Sequence, residues 1–239
     1  MNIEHRGLDS EQAEAELERH SPAFEKLAQM LVEHNRRTNL TRITEPDQIR
    51  IRHFLDSLIA LEAIDKLAAG AGDFCLADIG SGAGFPSLPL AIARPGWRIV
   101  SIEATGKKAD FQRLVAEALD LKNFDIVIGR AEELARLPQY REKFDVVCAR
   151  AVAKLRILAE TAVGLVKIGG SLLVWQSADA ENELKENLPT ITKMGVVPQE
   201  ILSYSLAGMQ RFLLVHFNKA AGTDARLPRR YSTMLKRAF

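Results

Sequence analysis

Apolar positions fall into two textures that change over near residue 74. Before it they recur at helical spacing: Phe24, Leu27 and Leu31, with Met30 less regular, stripe a helix predicted over 22–36. Pro22 behind Ser21 supplies a preset first turn and a capping hydroxyl. A shorter helix is expected over 10–20. After the polar connection Thr38-Asn39-Leu40-Thr41, a third opens at Pro46-Asp47. On that third helix Ile51, Phe54, Leu55, Leu58 and Ile59 are expected to face the core, with Arg52, His53, Asp56 and Ser57 on the other side. Beyond residue 74, short apolar runs alternate with helical stretches: strands over 74–79, 98–103, 124–129, 144–149 and 171–176, helices over 86–93, 107–119, 153–166 and 178–188. Two β-rich runs, 196–204 and 210–217, follow and meet at a turn around Ala207-Gly208. Such alternation predicts an α/β fold, a mostly parallel sheet covered on both faces.

The first strand runs into Asp78-Ile79-Gly80-Ser81-Gly82-Ala83-Gly84-Phe85, a tight glycine turn leading into a helix. The dinucleotide fingerprint G-x-G-x-x-G needs a glycine where Phe85 stands, which disfavours an NAD-dependent dehydrogenase. An acid two residues before the first glycine, then G-x-G-x-G, is the S-adenosylmethionine pattern of Rossmann-like class I methyltransferases. Five βα units closed by a hairpin fit that seven-stranded fold. The expected division is an N-terminal helical extension at 1–60, a cofactor-binding domain at 61–218 and a basic tail at 219–239.

Charge sharpens this picture through its distribution. The net charge is +1, yet residues 1–35 carry −5, residues 36–52 carry +3 and residues 219–239 carry +5. Basic segments flanking a neutral core suit a polyanionic partner; a solvated tail would carry the same charges. Cys75 and Cys148 lie in apolar runs and read as buried thiols of a reducing compartment. No C-x-x-C pair or histidine cluster has metal-ligand spacing, so no metal is expected. Nor is any apolar segment long enough for a signal peptide or a membrane span, so a cytoplasmic protein is expected.

Candidate chemistry follows the strand ends. Gly80, Gly82 and Gly84 let backbone approach a ligand, and Phe85 offers an apolar wall. Glu103 ends the second strand 23 residues beyond Gly80, where an acid accepts ribose hydroxyls; a helix N-cap is the other reading. Lys107 and Lys108 suit a carboxylate or phosphate, or an exposed first turn. Ala131 and Glu132 suit an adenine ring and its amine, with Glu133 the rival acceptor and a helix-start acid the plainer role. Arg150 ends the fourth strand, able to fork onto phosphate or a guanine edge, or to pair with a nearby acid. Neither an Asn/Asp-Pro-Pro-aromatic run nor a Pro-Cys pair is present, which argues against amine methylation and against covalent pyrimidine chemistry. His53, Asp56 and Ser57 share a face at helical spacing, lining a cleft or tying the helical cap to the sheet. No G-x-S-x-G presents a serine nucleophile, which disfavours a hydrolase.

Together, Asn39-Leu40-Thr41, His53-x-x-Asp56-Ser57-Leu58, Asp78 to Pro86, Lys107-Lys108 with Phe111, Arg130-Ala131-Glu132 and Ala149-Arg150-Ala151 resemble the small-subunit ribosomal RNA guanine-N7 methyltransferases, the glucose-inhibited division protein B (RsmG/GidB) family. The matches run in order over 39–176, with weaker similarity to the tail. The resemblance implies S-adenosyl-L-methionine as cofactor, contacts at Gly80, Phe85, Ala131, Glu132 and Arg150, and in some members at Glu103, Ala104 and Thr105. It also implies action on 16S rRNA, free or in a small-subunit intermediate, at the family's target guanine 527 of that RNA, and nothing in the sequence demands more than a monomer. Arg150 and His53 would position the base. Two departures touch RNA engagement: Gln176 stands where the family usually has lysine, and Tyr231-Ser232-Thr233-Met234-Leu235 lacks its glycine and proline. A protein or small-molecule methyltransferase and a non-catalytic RNA-binding assembly factor with a cofactor pocket are the alternatives.

Overall fold

The computed structural model describes residues 3–150, 154–208, 210–237 and 239. The N-terminal part comprises β1 (Glu4–Gly7), α1 (Glu11–Arg19), α2 (Ser21–Thr38), α3 (Pro46–Ile49), a π-helical segment (Arg50–Leu55), α4 (Asp56–Leu58) and α5 (Leu61–Ala68). The alternating part follows as β2 (Cys75–Ile79), α6 (Ser87–Ala93), β3 (Arg98–Glu103), α7 (Gly106–Ala118), β4 (Phe124–Ile128), α8 (Ala131–Leu134), β5 (Phe144–Arg150), α9 (Leu155–Val163), β6 (Val166–Ser177) and α10 (Ala180–Lys193). β7 (Val196–Tyr204), β8 (Phe212–Lys219) and α11 (Tyr231–Lys236) complete the chain.

One sheet runs β1-β7-β8-β6-β5-β2-β3-β4. β8 is antiparallel to both its neighbours, and every other pairing is parallel. The seven expected strands are all present. The eighth, β1, has no alternating apolar pattern to announce it: Glu-His-Arg-Gly pairs by its backbone with Glu200 to Ser203 of β7. Arg6 then reaches Glu62 on α5 and lies 3.6 Å from Glu200, fastening the strand sideways.

Helices cover both faces. Phe24, Leu27, Leu31, Phe54, Leu58, Leu88 and Phe111 fill one core, where the N-terminal helices pack on α6 and α7. Leu155, Leu158, Ala162, Leu184, Ile191 and Leu227 fill the other. Chain order reverses between β2 and β5, so a crevice opens beyond their carboxyl ends, the usual place for a ligand in open α/β sheets. No described helix is long and apolar enough to cross a membrane.

The third N-terminal helix departs from its expected face. The π-helical segment adds residues to the turn, so positions assigned at 3.6 residues per turn rotate out of register. His53 and Ser57, expected opposite the core, are buried at 6% and 0% exposure. Ala151, Val152 and Ala153, part of the loop after Arg150 and the start of the helix expected over 153–166, lie outside the described residues.

Residues beyond β8 fold back over α9. Lys219 is fully buried, donating to Glu142 at 2.7 Å and to the carbonyls of Val163 and Val166 at 2.8 and 2.9 Å. Glu160, also fully buried, accepts from the Arg229 backbone N–H at 3.1 Å, its Nε at 2.7 Å and its Nη2 at 2.6 Å. Breaking a buried pair from one side strands the other charge. Glu160→Ala is therefore expected to lower stability by about 3–5 kcal/mol, measured by urea denaturation.

Candidate cofactor and substrate site

The glycine turn is fixed by a buried polar network. Gly80, Gly82 and Gly84 take φ of 64°, 61° and 91°, the left-handed region that side chains disfavour. Gln112, fully buried on α7, donates to Ser81 Oγ at 2.8 Å and the Gly82 carbonyl at 2.7 Å, while accepting from Ser101 Oγ at 2.5 Å. A Cβ on Gly84 would lie 2.4 Å from Leu88 Cδ1. Adding positive-φ strain to that overlap, Gly84→Ala is expected to cost about 2–4 kcal/mol, seen as a lowered thermal midpoint.

Glu103 braces the same turn. Its Oε2 accepts from Gly82 N–H and its Oε1 from Thr105 N–H, both at 2.8 Å. A carboxylate offers about four lone-pair sites, so acceptor capacity remains for a diol. Beside it opens a cavity of about 240 Å³, walled by Gly80, Glu103, Ala104, Ala131 and Glu132 among the residues singled out from sequence. Thr105 does not line this cavity; it bonds Glu103 at the start of α7, whose exposed first turn carries Lys107. Sequence reasoning missed Ile157, Leu158 and Thr161 on α9 and Tyr231 on α11. Helical periodicity marks the first two as core, and nothing in the sequence marks Tyr231.

These walls fit an adenosine-bearing cation. Small residues and isoleucines leave a flat apolar slot, and Glu103 and Glu132, both under 9% exposed, bring negative potential to it. Asp78, one residue before the cavity wall at Ile79, is fully buried; Oδ2 accepts from Ser87 N–H at 3.1 Å. Its Oδ1 has no partner among the described residues, an acceptor held in reserve beside the turn. Burial pushes the Asp78 carboxyl up to about 7, against the backbone N–H of Ser87 and the charge of Arg150.

A second cavity, about 520 Å³, opens at the ends of β5 and β6, and His53, Asp56, Arg150, Trp175, Gln176 and Tyr204 are among its walls. Arg150 Nη1 donates to Asp56 Oδ2 at 2.8 Å and to the Arg52 carbonyl at 3.0 Å. Tyr204 donates its hydroxyl to Asp56 Oδ1 at 2.6 Å, and the Trp175 indole N–H donates to the Asp56 carbonyl at 2.8 Å. Asp56 thus joins the N-terminal helices to three strands of the sheet. The two readings of the His53 face converge here, since residues that tie the cap to the sheet also line a cleft.

Phe85 and Arg150, which the resemblance implies as cofactor contacts, do not line the smaller cavity, and Phe85 is buried beside the larger one. Its ring stacks on His53 at 4.3 Å and 5°, and the Arg150 guanidinium lies 5.8 Å from its centre. Burial, reinforced by Arg150, lowers the His53 pKa to about 3, so the imidazole is neutral at physiological pH. With Nδ1 facing Arg150 Nη2 at 3.3 Å, the proton belongs on Nε2, which reaches Thr41 Oγ1 at 3.0 Å.

The model of the family described as rRNA small subunit methyltransferase G (GidB) matches residues 20–213. A curated relative from Leuconostoc mesenteroides, named ribosomal RNA small subunit methyltransferase G, is 39% identical over 90% of this chain and 89% of its own. One of the same name from Roseiflexus sp. is 41% identical over 82% and 81%. Among solved structures, the antibiotic-resistance methyltransferase Kmr superposes with a TM-score of 0.50 at 16% identity, over 67% of this chain and 92% of Kmr; that likeness concerns the fold. Glycine turn, strand-end acid and paired cavities therefore sit in a chain that belongs to the rRNA small subunit methyltransferase G (GidB) family.

Proposed function

We propose that this protein transfers a methyl group from S-adenosyl-L-methionine to N7 of a guanine in 16S rRNA. The observation that carries the reading is that two cavities open at the carboxyl ends of paired strands, where Ile79 of one wall pairs with Ala149 beside Arg150 of the other: an adenosine-sized slot with acidic walls, and a larger cleft lined by Arg150, Asp56 and aromatic rings. The cofactor supplies a methyl group on a sulfonium, an electrophile that needs no further activation. Guanine N7 offers an in-plane lone pair, so the new N–C bond forms as the C–S bond breaks and no proton leaves the base. The protein's part is alignment, worth about 7–11 kcal/mol in well-oriented systems.

Each residue has a role suited to that task. Trp175, Tyr204 and Phe212 give the cleft faces on which an unstacked base can lie. The Asp56 carboxylate is matched to the N1–H and N2–H₂ donors of guanine and to no edge of uracil or cytosine with two such donors. Arg150 holds Asp56 in place and brings positive charge for phosphate. Neutral His53 stacks on Phe85 and takes no proton. Arg36, Arg37, Arg42, Arg50 and Arg52 are all exposed, and Arg52 lines the cleft mouth, a basic approach for an RNA strand.

The test is methyl transfer from labelled donor to 16S rRNA lacking the modification, with the modified base mapped. Incorporation at one guanine N7 supports the reading. Binding without transfer would instead support a non-catalytic assembly factor. Because His53 titrates near 3, imidazole resonances followed by NMR are expected to show it neutral down to about pH 4. The sign for stability follows: the unfolded chain takes up a proton near 6.5 that the folded one refuses. His53 therefore erodes stability as pH falls from 6.5 towards 3, and His53→Gln should flatten that slope in denaturation midpoints.

A further inference from the structure

We propose that the arginine-walled cavity beneath α11 binds the phosphodiester backbone of single-stranded RNA, at a site separate from the cleft for the reacting base. The proposal rests on the rRNA methyltransferase reading given above. The cavity measures about 1040 Å³ and is bounded by the segment after β4 and by the tail. Of its six arginines, Arg229 is committed to buried Glu160 and Arg226 to Asp224 at 2.6 Å. Four exposed ones remain: Arg130, Arg136, Arg230 and Arg237. Arg136 donates to the Pro228 carbonyl at 2.5 Å, a neutral partner, and Arg130 lies a loose 3.8 Å from Glu132. Arg230 and Arg237 make no side-chain ion pair among the described residues.

Guanidinium groups crowded around open space repel one another unless an anion enters, and the planar fork matches phosphate oxygens. Size and chemistry favour a strand over a small anion. The cavity is several times the volume of the cofactor slot, and Tyr231, 37% exposed, adds an aromatic surface among the arginines. Basic groove plus stacking ring is the recurrent platform for single-stranded nucleic acid. Arg130, Glu132 and Tyr231 line this cavity and the cofactor slot alike. A strand held here touches the wall of the cofactor site, so RNA and cofactor binding are expected to be coupled, by the same factor in both directions.

The test measures anisotropy of a fluorescein-labelled, ten-nucleotide single-stranded RNA with the full chain and with Arg230→Glu/Arg237→Glu. Arg113→Glu/Lys122→Glu, at the amino-terminal end of β4 and so opposite the cavity at its carboxyl end, is the control. The expected result is a Kd raised at least tenfold in the tail variant, a salt slope shallower by about 1.4 and an unchanged control. Cofactor-product affinity without RNA should stay within twofold, which shows the variant is folded. Equal RNA binding by the tail variant, an equal loss in the control, or full displacement of the RNA by millimolar inorganic phosphate would each overturn the proposal. Failure of methyl transfer in the wild-type protein would sink the catalytic reading while leaving these binding outcomes standing.

Discussion

Glu103→Ala is expected to weaken binding of S-adenosylhomocysteine about a hundredfold by calorimetry, roughly 2.7 kcal/mol. Two effects add. The Gly82 and Thr105 N–H groups lose a charged acceptor, each such bond being worth about 1.5–3 kcal/mol, and the slot loses the acid proposed for the ribose diol. Glu103→Gln keeps one acceptor oxygen for the turn and should lie between the two. A wild-type affinity in Glu103→Ala would remove this residue from the cofactor site. Stability measured in the same variant distinguishes the causes, because loss of bracing alone shifts the denaturation midpoint without a ligand present.

The second large effect is expected at Arg150. Its removal leaves Asp56, 16% exposed at the side chain, with Tyr204 as remaining side-chain partner, and opens the wall beside Phe85. Arg150→Ala should lose about 3 kcal/mol of stability and about a thousandfold in kcat/KM for RNA. Arg150→Lys is not expected to rescue, since one ammonium nitrogen cannot stand in both for Nη1, on Asp56 and the Arg52 carbonyl, and for Nη2, 3.3 Å from His53. The double variant Arg150→Ala/Asp56→Ala should recover stability relative to Arg150→Ala while remaining inactive. Recovery of both together would reduce the pair to a structural tie.

Much of the alternating strand-and-helix part was legible because its signals are local. Alternating apolar runs gave the strands and covering helices their order, and the 23-residue interval between Gly80 and Glu103 placed both on one cavity wall. What stayed hidden depends on partners distant in sequence. β1 carries no apolar alternation and exists through backbone pairing to β7, 196 residues away at Glu4 and Glu200. Burial of His53 arises from a π-helical segment whose extra residue no periodicity announces. The basic composition of the tail was visible, but its anchorage required knowing that Glu160, in an apolar helix, faces Arg229. Phe85 was read as a wall of the cofactor site; in the structure it lines neither cavity and is buried against His53, 32 residues upstream.

The sideways fastening of β1 has a mechanical corollary. An edge strand clipped to α5 by Arg6 and to β7 by its own amides works as a strap, linking residues 4–7 to the hairpin of β7 and β8. Opening either end loosens the other. Amides of Glu4 to Gly7 and of β7 should therefore exchange with deuterium as one cooperative unit, so a bulky fusion placed just ahead of that strap would be felt far along the chain.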